Sequence, residues 1–271
     1  MLRPLASIFA ALLLWVAPAM AADGVTVDEA SRLRKLVPAE QLEQSAGQQY
    51  REMLAQAAAK RALAPEGSPA LRRLRGIAQR IIPYSARFNP RAQQWKWEVN
   101  LIASKDANAF CMPGGKIAFF TGLIDGLKLS DDEIAIVMGH EIAHALREHA
   151  RERIAKTQLT QLGVGLLGQF IGDGKYTEVF SAGGNLLTLK FSRQDESDAD
   201  VVGLDLAARA GYNPQAGISL WKKMEKAGGS GGFAWLSTHP AGKDRIREIE
   251  RRLPEVMPLY ERARSSTTTK G

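Results

Sequence analysis

Ser130-Asp131-Asp132-Glu133 runs directly into Ile134-Ala135-Ile136-Val137-Met138-Gly139-His140-Glu141-Ile142-Ala143-His144, and this stretch decides how the rest of the chain is read. Ser130 is a good helix N-cap, Glu133 stands at the capping-box position, and three acids fall in the first turn, where they oppose the helix dipole. Apolar residues carry the helix on to a charged end between Arg147 and Arg153. His140 and His144 are four apart, so both imidazoles project from one face and can grip a single metal ion. Glu141 then sits beside that metal, placed to take a proton from a bound water. The same spacing arises by chance in unrelated proteins, so the rest of the sequence has to support it.

Hydrolytic zinc sites take three protein ligands and keep one position open. Candidates for the third lie in Phe191-Ser192-Arg193-Gln194-Asp195-Glu196-Ser197-Asp198-Ala199-Asp200, on a helix expected from Asn185 to Ala210 and stopped at Gly211. Spacing alone does not choose Glu196 over Asp195, Asp198 or Asp200. His149, five residues past His144, falls off the ligand face of a continuing helix and reads as a surface histidine.

The first residues have the form of an export signal: Arg3, an apolar run from Leu5 to Val16, and small residues at Ala19-Met20-Ala21. The alternative, a membrane anchor, would need a longer apolar run. Residues 26 to 63 pattern as one or two helices restarting after Pro38, and a further helix runs from Ala70 to about Ile82. Trp95 to Ile102 alternates as a strand, and Lys116 to Thr121 forms a second one behind Gly114-Gly115. Seven glycines between Gly163 and Gly184 suggest a mobile cover over a cleft. A helix follows over 215–228, then a glycine joint and a last helix from Asp244 to Leu253, interrupted at Pro254. The expected organisation is a signal peptide (1–21), an N-terminal helical region (22–90), a catalytic domain (91–260) and a flexible tail (261–271).

Composition narrows the function. The single Cys111 forms no internal disulfide, and it reads as a small buried residue in preference to a nucleophile. The net charge of +7 draws on dispersed arginines, including Arg72, Arg73, Arg75, Arg80, Arg87 and Arg91. That dispersal argues for peripheral contact with anionic envelope surfaces or a solvated face, and against nucleic acid. No phosphate loop or nucleophile elbow occurs, so neither ATP dependence nor a serine hydrolase has a place in the sequence.

Four ordered motifs carry a family resemblance: Asn108-Ala109-Phe110 before Gly114-Gly115, the His140–His144 helix, Glu196-Ser197-Asp198-Ala199-Asp200, and Ser237-Thr238-His239-Pro240 followed by Arg245-Ile246. Over about residues 95 to 250 the chain resembles zinc metallopeptidases of the HtpX and CAAX-prenyl-protease type, in particular their soluble periplasmic branch and the related mitochondrial quality-control protease. The resemblance implies an α+β fold, mainly helical and zincin-type, with a small β-sheet beside the metal-binding helix. It also implies one Zn2+ per chain, Glu196 as third ligand, and Asp200 as an acid that orients a ligand imidazole. Glu141 would be the base, while His239 would face the developing anion or approach the metal as a gate. Arg245 would pair with site acids or help place the carbonyl.

Asn108 and the strand opening with Gly114, Gly115, Lys116 and Ile117 are expected to bind an extended substrate along an exposed edge. The leading expectation is therefore a periplasmic endopeptidase that clears misfolded or unassembled envelope polypeptides, outer-membrane proteins among them. The competing one is a chaperone-like or latent periplasmic binding protein whose zinc is structural or gated.

Overall fold

A computed structural model describes residues 23–162, 186–228, 234–239 and 244–268. The expected export signal, the glycine-rich stretch from Gly163 to Gly184 and most of the joint before Ala234 lie outside them. After a 3-10 turn at Arg32–Leu36 the chain restarts behind Pro38 as α1 (Ala39–Ala59). Helix α2 (Pro69–Ile81) is capped by Ser68, whose Oγ accepts from the Leu71 N–H. Strands β1 (Glu98–Ile102), β2 (Ala109–Met112) and β3 (Lys116–Phe120) lead through α3 (Thr121–Gly126) into α4 (Asp131–Leu146). Then come α5 (His149–Leu162), α6 (Arg193–Arg209), α7 (Ala216–Gly228), α8 (Ala234–Thr238) and α9 (Arg245–Thr268). The fold is α+β and mainly helical, with one small sheet beside the helix that carries His140 and His144.

That helix begins as its sequence dictates. Ser130 Oγ accepts from the Glu133 N–H and Glu133 Oε2 accepts from the Ser130 N–H, which closes the capping box. Every residue of α4 from Glu133 to Leu146 is buried, so it is a central helix covered on all sides. Sheet, α2, α6 and α7 surround it, and the main apolar core runs continuously from Val25 to Leu259. Helix α2 thus shares the core of the metal helix, while α1 buries Leu42, Ala46, Tyr50 and Ala57 in two smaller clusters. The arginines noted above serve this packing. Arg73 bonds Asp131 and the Leu129 carbonyl, Arg75 bonds the Val99 carbonyl, Arg91 bonds Glu43, and Arg80 lies over the Tyr212 ring.

The sheet corrects the expected strand roles. Its order is β1-β3-β2, with β1 parallel and β2 antiparallel to β3. β3 is therefore the middle strand: Lys116 and Ile117 are paired on both sides, and no free edge exists there. The edges are β1 and β2, and β2 is a strand that the sequence pattern does not predict. Four residues, Ala109 to Met112, are too few for a period-2 pattern to stand out, and pairing with β3 makes them a strand.

The C-terminus differs too. Helix α9 passes through Pro254 and Pro258 and continues to Thr268, past the expected stop at Pro254 and into the expected tail. Proline removes a backbone donor and disfavours helix interiors. Spaced four apart, the two prolines place that defect on one face, and burial of Val256 and Leu259 holds the helix together around it. At the other end of the described chain, the Val25 N–H donates to Asp205 Oδ2 at 3.0 Å on α6, and Asp23 accepts from Arg209 and Arg262.

Helices α4 and α6 cross at two glycines. A Cβ on Gly139 would meet the Gly203 carbonyl oxygen at 2.6 Å, and one on Gly203 would meet the His140 nitrogen at 2.7 Å. The backbones touch only because both side chains are absent. Gly203→Ala is expected to destabilise the protein by about 1–3 kcal/mol through overpacking, lowering the melting temperature by roughly 2–10 °C. Thermal melting followed by circular dichroism checks this, and an unchanged midpoint would show that the crossing is not tight.

Candidate metal centre

Close approach at the glycines brings the first two turns of α6 beside the second half of α4. His140, His144, Glu196 and His239 converge there, with one ligand atom of each within 4.8 Å of the others, and all four are buried. His140 Nε2 and His144 Nε2 face each other at 3.0 Å, and Glu196 lies 3.6 Å from the first and 3.5 Å from the second.

The tautomers follow from the partners. Asp200 Oδ1 can only accept, so His140 Nδ1 carries the proton at 3.0 Å and its Nε2 presents a lone pair. His239 Nδ1 lies 3.1 Å from the Trp235 carbonyl, which also only accepts, so His239 Nε2 is bare as well. Glu196 Oε1 and His239 Nε2 are buried without a hydrogen-bond partner. Lone pairs aimed at one another in a dry site are unfavourable unless a cation sits among them. The donor set of imidazoles and one carboxylate suits zinc, and the cluster fits one Zn2+ ion.

Arg245 ties the acids together. Its Nη1 donates to Glu196 Oε2 at 2.6 Å, its Nη2 to Asp200 Oδ1 at 2.6 Å, and its Nε to Asp200 Oδ2. The guanidinium lies 4.2 Å from the Trp221 ring centroid. Burial alone would raise the Asp200 carboxyl, but Arg245, with the His140 contact, holds it below the ordinary carboxylate value. Glu196 is pushed up by burial against the pull of His140 and Arg245. Burial pushes Glu141 well up, partly offset by the Trp235 indole N–H that donates to its Oε1 at 2.6 Å. Glu141 Oε2 stands 3.6 Å from His239 Nε2, facing the cluster. The neutral forms of His144 and His239 are favoured by burial first, then by the neighbouring cationic groups.

Beside the cluster lies a cleft lined by Asn108, Phe110, Met112, Glu141, His144, Leu189, Phe191 and His239. Of the residues expected to bind substrate, Asn108 borders it. Gly114 instead packs near Glu43, Gly115 against Trp97, Lys116 bonds Glu98, and Ile117 is fully buried. The Cys111 thiol is buried and its pKa pushed well up, in keeping with a small core residue.

His149 corrects a second expectation. It is buried, its Nδ1 lies 2.9 Å from His144 Nδ1, and its Nε2 lies 3.1 Å from Asp198 Oδ2. The surface reading assumed an unbroken helix. In fact α4 ends at Leu146, Glu148 takes a positive φ of 59°, and the reversal turns His149 back onto His144. Trp235, Phe191 and Asp198 also enter the site. Asp198 lay within the acidic motif, whereas nothing in the sequence marked Trp235, which stacks on His239 at 4.5 Å, or Phe191, which stacks on His144 at 4.0 Å.

The model of peptidase family M48 matches residues 70–253, which span the sheet, both ligand helices and Arg245. The chain belongs to peptidase family M48. It is 39% identical over 163 residues to the mitochondrial metalloendopeptidase OMA1 of Schizosaccharomyces pombe, covering 59% of this chain and 48% of that protein. Metalloprotease LoiP of Escherichia coli is 26% identical over 197 residues, 72% of this chain and 75% of its own length. The β-barrel assembly-enhancing protease of E. coli is 28% identical over 173 residues, 59% of this chain and 35% of that protein. The chain thus spans between about a third and a half of the OMA1 relatives. Among the described residues no helix is long and apolar enough to cross a membrane.

Removing Arg245 leaves two buried carboxylates without a counter-charge. Arg245→Met is expected to destabilise the metal-free chain by about 3–5 kcal/mol. Arg245→Lys should recover only part of that, because one ammonium cannot serve both carboxylates in a planar fork. Urea denaturation midpoints check this, and a lysine variant as stable as the parent would refute the shared-fork role.

Proposed function

We propose that this chain is a zinc-dependent endopeptidase that hydrolyses misfolded or unassembled envelope polypeptides in the periplasm, with His140, His144 and Glu196 as its metal ligands. The convergence of these three ligand atoms beside the Glu141 carboxylate carries the reading: a purely structural zinc site has no use for a buried glutamate facing its ligands. Bound zinc would supply a Lewis acid that polarises the scissile carbonyl and makes water a nucleophile near neutral pH.

The residues of the chain do the rest. Trp235 pins Glu141 Oε1 and leaves Oε2 toward the cluster. That oxygen takes the proton of the attacking water and returns it to the leaving amine. A carboxyl held above its usual range by burial suits both transfers. Asp200 holds His140 in the ligating tautomer, and Arg245 neutralises Asp200 and Glu196. The β2 edge beside the cleft offers backbone groups to an extended polypeptide, a tolerant mode of recognition suited to unfolded chains. Two features support an envelope setting: the signal-like first 21 residues and the likeness to the β-barrel assembly-enhancing protease. Peripheral contact with anionic membrane, through the basic surplus, belongs to the same proposal.

Glu141→Gln should retain zinc and lose cleavage of an unfolded outer-membrane protein by about 100-fold or more. Metal analysis and fragment gels on the purified chain check this, and cleavage at the parental rate would remove Glu141 from the mechanism.

A second reading rests on His239. Its bare Nε2 points into the cluster, so in this conformation it completes a four-donor set where an oxyanion donor would need a proton. The resting protein is then latent, and His239 must withdraw before substrate can enter. His239→Ala should raise basal peptide cleavage in that case. If His239 serves the anion instead, the same variant slows cleavage, so one progress curve separates the roles.

A further inference from the structure

His144 lacks what His140 has, a carboxylate on its second ring nitrogen. It meets another imidazole instead, and behind that imidazole stands an acid. We infer that Asp198 and His149 are positioning residues which hold the His144 Nε2 lone pair toward the metal position. Two ring nitrogens 2.9 Å apart must share one proton, one donating and the other accepting. The Asp198 carboxylate can only accept, so His149 Nε2 carries the proton across the 3.1 Å contact. Neutral His149 is then bare at Nδ1. The shared proton belongs to His144 Nδ1, and Nε2 is left free to ligate.

Three observations support this arrangement. Arg147 Nε donates to the same Asp198 oxygen at 2.5 Å, so the carboxylate already has a cationic partner and needs none from the imidazole. Both histidines are buried, and at 2.9 Å each of the two nitrogens has the other as its direct partner. Phe191 stacks on the His144 ring at 4.0 Å and 25°, which fixes the plane in which both of its nitrogens lie. Asp198 and Asp200 thus sit two residues apart on one helix, and each orients one ligand imidazole, directly for His140 and through one intermediate ring for His144. Partners of this kind typically contribute about 10–100-fold to metal affinity.

The inference rests on the zinc reading of the cluster, and its test separates the two. In the full zinc-loaded chain with 15N-labelled histidine, where the ion occupies the His144 Nε2 lone pair, His149 should show a protonated Nε2 and a bare Nδ1. Competition with a chromogenic chelator should show zinc binding weakened about 10–100-fold in His149→Met. His149→Gln, whose amide oxygen can still accept from His144, should bind zinc within a few-fold of the parent. A proton on His149 Nδ1, or equal zinc affinity in parent and His149→Met, would overturn the relay while leaving the zinc site standing. A parent chain that takes up no zinc would overturn the underlying reading instead. Should His149→Met fail to fold, the nitrogen shifts of the parent still decide.

Discussion

Everything at the metal centre depends on two helices touching backbone to backbone. Gly139 and Gly203 let α4 and α6 approach until a carbonyl of one lies against the other, closer than any side chain would permit. Gly139 directly precedes His140, and Gly203 follows Asp200 by three residues, so this contact sets the reach of each acid toward each imidazole. Sidechain rotamers can adjust by an ångström or so, but they cannot recover the separation that two methyl groups would impose. The crossing is a packing feature, and ligand geometry follows from it.

Charge is the second constraint. Buried Glu141, Glu196 and Asp200, with half-buried Asp198, crowd a volume that four buried histidines share. Such a group would unfold or neutralise itself without compensation. Arg245 and Arg147 each cover one side of it, and the remaining lone pairs, on Glu196 Oε1 and His239 Nε2, point where a divalent ion would sit. A cation is thus part of the electrostatic balance of the fold as well as its chemistry. Trp235 gives Glu141 a partner, which fixes one carboxylate oxygen and leaves the other available.

The sequence made α4 legible because its signals are local: a cap, a capping box, three first-turn acids and two histidines one turn apart. The close of α6 was equally plain at Gly211. The interaction of Glu196 with His140 was harder, since the neighbouring acids carry the same chemistry, and the family motif was needed to prefer one. What sequence could not show depends on long-range pairing or on one dihedral angle. β2 is too short to have a pattern of its own, and the central place of β3 follows from a parallel partnership with β1. His149 was misjudged because Glu148 reverses the chain at a positive φ, held by ion pairs from Arg34 and Arg151 that no local rule anticipates. At Pro254 the local rule was sound and lost to the burial of Val256 and Leu259.

The staple between Val25 and Asp205, and the fork of Arg245 across Glu196 and Asp200, join the two extremes of the described chain to one helix. Synthesis is directional, so α6 emerges with its acids long before α9 supplies their guanidinium. Without that guanidinium, Glu196 and Asp200 lack the cation that balances them in the folded chain. The metal centre therefore draws, through α6, on both ends of the described chain, and losing either would take a partner from one of that helix's acids.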